Sequence, residues 1–140
     1  GACIRLYKLW KKTRREVYRD PIYQGMQDDS QRCLEVLLRH YKQLSFWGRM
    51  VEVEGALKAF TFGVPLSRNV FCVLFEIADL SVKGVSQFIF REFIRECRGY
   101  AWVNIMDDSG LENLQKVKLS YRPARMARSY IARRKEAYEP

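Results

Sequence analysis

Histidine is almost absent from this sequence, and His40 is the only one among 140 residues. A Ser/His/Asp or Cys/His triad would have to use it, although its place after a leucine-rich helical pattern predicts a structural role. The four cysteines are far apart and form no CxxC pair: Cys3, Cys33, Cys72 and Cys97. Neither a zinc site nor a disulfide framework is therefore predicted, and Cys72 and Cys97 are expected to be small buried apolar side chains.

The sequence also contains no long apolar run, and its opening segment does not have the pattern of a signal peptide. No stretch reaches the roughly 18 apolar residues that a membrane-spanning helix requires. The opening "GACIRLYKLWKK" carries a charge at its fifth position, so it does not resemble a signal peptide. Because the chain begins with glycine, we expect it to be an excerpt of a longer protein. We expect a cytoplasmic location, or the cytoplasmic face of a membrane if an upstream region is embedded in it.

What the sequence does contain is apolar and basic side chains. The apolar fraction of 48% predicts one globular domain spanning residues 1–140. The formal net charge of +9 favours an anionic partner, such as nucleic acid or an anionic lipid surface. The alternative is a domain whose basic surface is merely solvated.

The periodicity of the apolar residues predicts the order α-α-β-β-β-α-β-α-α. The helices are expected at 3–19, about 30–44, 84–97, 111–121 and from Pro123 to about 136, with Pro21 and Gly25 separating the first two. A hairpin is expected within 48–64, and further strands at 69–80 and 100–106. Strand, helix and strand over 69–106 form a βαβ unit, which requires parallel pairing. The predicted class is therefore α/β (α+β): a mixed, mainly antiparallel sheet with helices on both faces.

Two acidic features could carry chemistry. Glu76 interrupts the apolar strand, and a carboxylate there needs either a basic partner or a cleft in which it can act as a general base. Asp107 and Asp108 precede a helix, where helix capping, a metal site or a polar contact are the alternatives. Adjacent carboxylates point in different directions, so no metal site is predicted.

Basic side chains dominate the C-terminal region. No acid occurs from 116 to 135, and Tyr121 and Tyr130 are interleaved with the cations. The cations there are Lys116, Lys118, Arg122, Arg125, Arg128, Arg133, Arg134 and Lys135. Such a segment can follow phosphates and stack on bases, or it can be a solvated helix face.

Three motifs together resemble a known family. They are Glu76 in "VLFEIAD", Gly84 in "VKGVSQFIFREF", and the spacing N-x-x-x-D-x-G-x-x-x-L-x-x-x-K-L-S-Y-x-P over 104–123. This pattern resembles the C-terminal catalytic region of bacterial phosphatidylglycerol lysyltransferases and their relatives. The resemblance implies a GCN5-related N-acetyltransferase-like fold, often present in tandem copies, of which this chain would be the second.

The resemblance also implies a function and a site. Family members move an aminoacyl group from charged tRNA to a lipid headgroup, so an aminoacyl-tRNA donor and a lipid, amine or hydroxyl acceptor are expected. The implied catalytic residues are Glu76, Asp108 and Lys118, and the implied substrate-binding residues are Gly84, Asn104, Ser120, Tyr121, Arg122 and Arg125. Residues 116–135 would meet tRNA or another polyanion, and acetyl-CoA remains open as a cofactor.

The chain departs from the family pattern at four positions. Ile77, Ile105, Met106 and Gln115 stand where the family usually has charged residues. The alternatives are therefore a non-catalytic basic binding module on the same fold and a CoA-dependent N-acetyltransferase.

Overall fold

Two helices open the chain in the computed structural model, which describes residues 1–107, 112–128 and 130. Helix α1 spans Ala2–Val17 and α2 spans Pro21–Arg39. The second helix therefore begins about nine residues earlier than predicted. Asp20 caps it by accepting from the backbone N–H groups of Ile22 and Tyr23, at 2.7 and 3.1 Å. Pro21 occupies the first helical position, where a missing N–H costs nothing.

The end of α2 also differs from the prediction. The helix stops at Arg39, and a short 3₁₀ turn at Tyr41–Gln43 follows. Gly25, which was predicted to separate the first two helices, lies inside α2, as do Asp28 to Ser30. The sequence pattern was misleading because proline and glycine are read as breakers, although proline starts helices well and an exposed glycine is tolerated.

The sheet has four strands in the order β1-β2-β3-β4. They are β1 Trp47–Val53, β2 Ala56–Pro65, β3 Val70–Ala78 and β4 Trp102–Asn104. The first two pairs are antiparallel and β3 pairs with β4 in parallel, as predicted. The β1–β2 turn places Glu54 and Gly55 at φ of 52° and 74°, which is the conformation of a tight hairpin turn. Strand β4 is shorter than predicted, because Met106 turns left-handed at a φ of 64°.

Helices cover both faces of this sheet, as predicted. Successive side chains of β2 point to opposite faces, so Phe60 and Phe62 pack with α1 and α2 while Ala59 packs with helix α3. Helix α3 spans Val85–Glu96 and ends in a 3₁₀ turn at Cys97–Gly99. Its buried side chains recur every four residues at Val85, Ile89 and Phe93.

Cys72 and Cys97 are buried, as predicted. Phe88 of α3 is apolar but is 48% exposed. The buried side chains of α3 recur every four residues, and Phe88 lies one residue before one of them, Ile89. The helix therefore turns Phe88 towards solvent.

The chain divides into two compact units, Gly1–Ile105 and Met106–Pro140. The second contains helix α4, Glu112–Ser120. The predicted final helix does not begin at Pro123, since residues 121–128 are turn and irregular structure; 129 and 131–136 lie outside the described residues. Arg122 adopts a left-handed φ of 51° directly after α4, which ends the helix before the proline. No helix among the described residues is long and apolar enough to cross a membrane.

Candidate functional site

The candidate site lies in the first unit, beside the parallel pair of β3 and β4. Their parallel pairing covers only Val70–Cys72 of β3. Strand β3 then continues to Ala78, and Leu74 forms a bulge because Phe62 pairs with Phe75 while Gly63 pairs with Val73. A bulge bends its strand and is common beside active sites. The bulge therefore lies two residues beyond Cys72, the last residue of β3 that pairs with β4, and close to the carboxyl end of β4. The carboxyl ends of parallel strands are where α/β folds bind ligands.

Glu76 lies on β3 within this region and is half-buried. It faces helix α3, because Ser86 in the first turn of α3 donates a 2.9 Å hydrogen bond from its hydroxyl to Glu76 Oε1. Its cross-strand neighbour is Thr61, which is only 1% exposed and donates its own hydroxyl to the Phe75 carbonyl at 2.8 Å. The fold thus holds the Glu76 carboxylate half-buried and in an orientation set by a hydrogen bond. Such a position suits a general base.

The loop from β3 to α3 is held by Asp79. One carboxylate oxygen accepts from the backbone N–H and the hydroxyl of Ser81, and the other accepts from Lys58 Nζ at 2.9 Å. The Asp79 N–H donates to the Lys58 carbonyl at 2.7 Å. The Ser81 hydroxyl, followed by Lys58, lowers the pKa of Asp79 to about 2. This network ties the start of α3 to β2.

Neutralising Asp79 should therefore reduce stability. An aspartate whose folded pKa is depressed contributes stability that is present above about pH 3.8 and is lost as the pH falls towards 2. We expect Asp79→Asn to lower the free energy of unfolding by about 1–2 kcal/mol at pH 7. The free energy of unfolding of the variant should also depend less on pH between pH 4 and 2 than that of the unaltered chain. Urea unfolding across a pH series measures both.

Asp29→Asn is the matched control for this change. The Asp29 side chain is 79% exposed and pairs only across an i,i+3 surface contact with Arg32. Such pairs contribute little, so a change below about 0.5 kcal/mol is expected. Equal losses from the two variants would contradict the assigned role of Asp79.

Two further predicted site residues belong to the same unit. Gly84 caps α3 with a left-handed φ of 83°, a conformation that side chains rarely adopt. Asn104 ends β4 in register with Cys72, roughly 13 Å along the strand from Glu76 by the usual strand rise. The structure therefore groups Glu76 with the start of α3 and places Asn104 apart from them, at the carboxyl end of β4.

The other predicted residues lie in the second unit. The Ser120 hydroxyl bonds back to the Val117 carbonyl at 2.6 Å, while Lys118 and Tyr121 are half-buried. The cations Lys116, Arg122, Arg125 and Arg128 are exposed. Lys116 pairs with Glu112 one helical turn away, at 2.7 Å. Glu112 is the single acid within 112–128, so this segment keeps a strongly basic surface.

One predicted catalytic residue, Asp108, lies outside the described residues, as does Gly110 of the motif. Asp107 is exposed. Within the described part of the chain, no group of three histidine, cysteine or acidic side chains is placed to hold a metal ion.

Comparison with known proteins decides the family. Residues 3–133 match the family described as phosphatidylglycerol lysyltransferase, C-terminal. The chain belongs to this family. The match confirms the resemblance inferred from Glu76, Gly84 and the 104–123 spacing. No curated protein matches the chain.

Solved structures show the same fold. A conserved protein of unknown function from Bacteroides thetaiotaomicron VPI-5482 is 31% identical, with a TM-score of 0.76 over 89% of this chain and 40% of that chain. A GCN5-related N-acetyltransferase from Ralstonia eutropha JMP134 is 20% identical, with a TM-score of 0.55 over 89% of this chain and 90% of that chain. A ribosomal-protein-alanine N-acetyltransferase from Brucella melitensis biovar Abortus 2308 is 16% identical, with a TM-score of 0.53 over 64% and 71%.

These likenesses confirm the acyltransferase-like fold of this lysyltransferase-family domain. The two acetyltransferases are too distant to show more than the fold. The chain spans 40% of the length of the Bacteroides protein.

Sequence reasoning missed two parts of the site in this family member. Ser86, the hydrogen-bond donor to Glu76, lies ten residues away and gave no signal of its own. The bulge at Leu74 was also missed, although Gly63 in the facing strand was a usable sign, because glycine inside a strand often marks a bulge.

Proposed function

We propose that this domain transfers an aminoacyl group from an aminoacyl-tRNA to an amine or hydroxyl acceptor, with a lipid headgroup as the first candidate. The observation that supports the proposal most is the position of Glu76. It is a half-buried carboxylate that accepts a hydrogen bond from Ser86, on the part of β3 that extends beyond its pairing with β4, in an acyltransferase-like fold. The family description, which names phosphatidylglycerol and a lysyl group, suggests the donor and acceptor to try first.

The chemistry needs a base and a place for the leaving group. The acceptor O–H or N–H attacks the ester carbonyl carbon of the aminoacyl-tRNA. A bond from this atom to the carbonyl carbon forms, and the bond from that carbon to the ribose oxygen breaks. Glu76 takes the proton of the acceptor and passes it to the departing ribose oxygen. A positioned general base of this kind contributes about 10²–10⁴-fold to a rate.

The second unit supplies the expected polyanion contact. Lys118, Arg122 and Arg125 are proposed to meet tRNA phosphates, with Tyr121 stacking or hydrogen-bonding beside them. The Ser120 hydroxyl donates a hydrogen bond to its own helix, so Ser120 is proposed to act in substrate binding indirectly, by fixing the end of α4. Asn104 and Gly84 are proposed to line the acceptor side in the first unit.

A transfer assay with the unaltered 140-residue chain tests the proposal. Radiolabelled lysyl-tRNA and vesicles containing phosphatidylglycerol are mixed with the protein, and label is followed into the lipid fraction. We expect label in lipid that depends on both protein and charged tRNA. If tRNA binds with a steep salt dependence but no label moves to lipid or to free amines, the domain is a binding module and the transfer proposal fails.

A parallel measurement tests the alternative of a CoA-dependent N-acetyltransferase, which the shared fold of the two acetyltransferases suggests. Acetyl-CoA is added and the melting temperature recorded. We expect no shift. A rise with acetyl-CoA, joined by acetylation of an added amine, would favour the acetyltransferase instead.

A further inference from the structure

One face of helix α2 is exposed to solvent and partly apolar. The four apolar side chains on it are Ile22, Met26, Cys33 and Val36. Ile22 is 77% exposed and Val36 is 52% exposed. The opposite face of the same helix carries Leu34 and Leu37, which are buried in the core. We call the exposed row, together with Asp29 in its middle, the α2 seam.

The spacing of the seam is that of a contact between two helices. Its positions 22, 26, 29, 33 and 36 are separated by steps of four and three residues in turn, which keeps all of them on one side of the helix. The same repeat of about 3.5 residues lets two α-helices pack along their length. Single exposed apolar side chains are normal on a protein surface, but a row of four at this spacing favours an interface.

The charges of α2 and its flanking residues are divided between two halves. Residues 20–30 contain no lysine or arginine, and their acids are Asp20, Asp28 and Asp29. Residues 31–42 contain three cations and one acid, which gives a net charge of +2: Arg32, Arg39, Lys42 and Glu35. A second copy of α2 that runs antiparallel places each acidic half beside a basic half, whereas a parallel copy places like charges together.

Asp29 supplies the register of such a pair. Its carboxylate is 3.5 Å from the Arg32 guanidinium of the same helix, and the two side chains are 79% and 80% exposed. An exposed pair of this kind contributes little to stability, so both side chains are available to a neighbour. If two antiparallel helices cross near residue 31, Asp29 of each copy lies beside Arg32 of the other. In the same register, Met26 of each copy faces Val36 of the other.

The charges of α2 also argue against an anionic partner. Nucleic acid or an anionic lipid surface would meet the acidic half of the helix and the Asp29 carboxylate in the middle of the apolar row. A second copy of this chain matches both halves at once, because each half meets the opposite charge.

We propose that the α2 seam joins two copies of this chain as an antiparallel pair, related by a two-fold axis near residue 31. A single pair of helices is a small contact beside the roughly 1,200–2,000 Å² of standard stable interfaces, so the dimer is expected to be reversible. The net charge of +9 on each copy opposes pairing, and salt at about 0.15 M screens this repulsion beyond about 8 Å. The inference does not rest on the transfer reaction.

Sedimentation velocity of the 140-residue chain over a concentration series tests the proposal. A reductant is present throughout, because Cys33 is an exposed free thiol. The variant Met26→Ser/Val36→Ser shortens two seam side chains without changing the charge, and Leu9→Ser/Val17→Ser does the same at exposed positions of α1. We expect the dissociation constant of the dimer to rise about tenfold or more in the seam variant and less than about twofold in the α1 control. Melting curves verify that both variants are folded.

Two charge variants test the orientation of the pair. Asp29→Arg alone and Arg32→Asp alone each bring like charges together across the seam, so each should weaken dimerisation about threefold or more. An equimolar mixture of the two variants should dimerise as the unaltered chain does, because each charge at position 29 then meets the opposite charge at position 32. Both changes lie at exposed positions and leave the apolar row intact, so they test the seam even if the serine variant fails to fold.

Three outcomes would overturn the proposal. A chain that stays monomeric up to about 1 mM would leave the seam to a different partner. Equal weakening in the seam variant and the α1 control would show that the contact does not depend on the seam. A mixture of the two charge variants that fails to recover dimerisation would exclude the antiparallel pair.

Discussion

Replacing Glu76 with glutamine should lower the rate of aminoacyl transfer by about 10²–10⁴-fold while leaving the fold intact. The glutamine side chain has nearly the same size, and its amide oxygen can still accept the hydrogen bond that Ser86 donates at 2.9 Å. What it loses is the ability to take up a proton. The label-transfer assay with lysyl-tRNA measures the rate, and the melting temperature reports whether the fold survives.

Two further variants sharpen this test. Glu52→Gln makes the same chemical change at an exposed position of β1 and should leave the rate unchanged. Ser86→Ala keeps the carboxylate but removes its hydrogen-bond donor, so a smaller loss is expected, together with a shift of the pH profile. A fully active Glu76→Gln variant would leave the carboxylate with a structural role only.

The fold could be read from the sequence wherever one physical signal dominated. The βαβ unit was predicted because a buried strand, a helix with a four-residue apolar step and a second strand follow one another. Helix α2 was predicted to begin too late, because Pro21 was interpreted as the end of a helix. Proline at the first helical position and the Asp20 cap instead favour the beginning of a helix there. Phe88 shows that an apolar residue type alone does not predict burial, because its position on the helix turns it to solvent.

The site was harder to predict, because it depends on contacts between distant residues. Glu76 stood out as a charge in an apolar strand and as part of a motif that carries the family resemblance. The hydrogen bond that it accepts from Ser86 and the bulge at Leu74 do not follow from local periodicity. The ion pairs of Lys11 and Arg15 with Asp28 likewise needed the structure, since the basic residues of α1 were visible in the sequence but their partner on α2 was not.

The substitution Gly63→Ala, which adds a single methyl group, should cause a larger loss of stability than Asp79→Asn. Gly63 sits between Trp47 of β1 and Val73 of β3, next to the bulge. A Cβ atom there would lie 2.6 Å from the Cys72 carbonyl oxygen and 2.8 Å from Cζ of Phe71. Real Cβ atoms essentially never approach other heavy atoms so closely, so something must move.

Neither neighbour can move easily. The Cys72 carbonyl belongs to the backbone of a paired strand. The Phe71 side chain is fully buried, with its ring 5.0 Å from Trp47, 5.3 Å from Tyr100 and 5.7 Å from Phe93, measured between centroids. Overpacking of a core this tight costs about 1–3 kcal/mol, and we expect Gly63→Ala to reach the upper end. Urea unfolding measures the loss, and the melting temperature should fall by about 10 °C.

Gly25→Ala is the matched control, because it makes the same chemical change with the opposite expected sign. Gly25 lies inside α2, and a Cβ atom there would meet no heavy atom within 4 Å. Alanine favours the helix over glycine, so stability should rise by about 0.5–1 kcal/mol. If both variants were stabilised, β3 would have room to shift at the bulge, and the tight packing inferred around Gly63 would be wrong. Opposite signs, with Gly63→Ala also slowing transfer, would show that the bend in β3 helps to position the carboxylate.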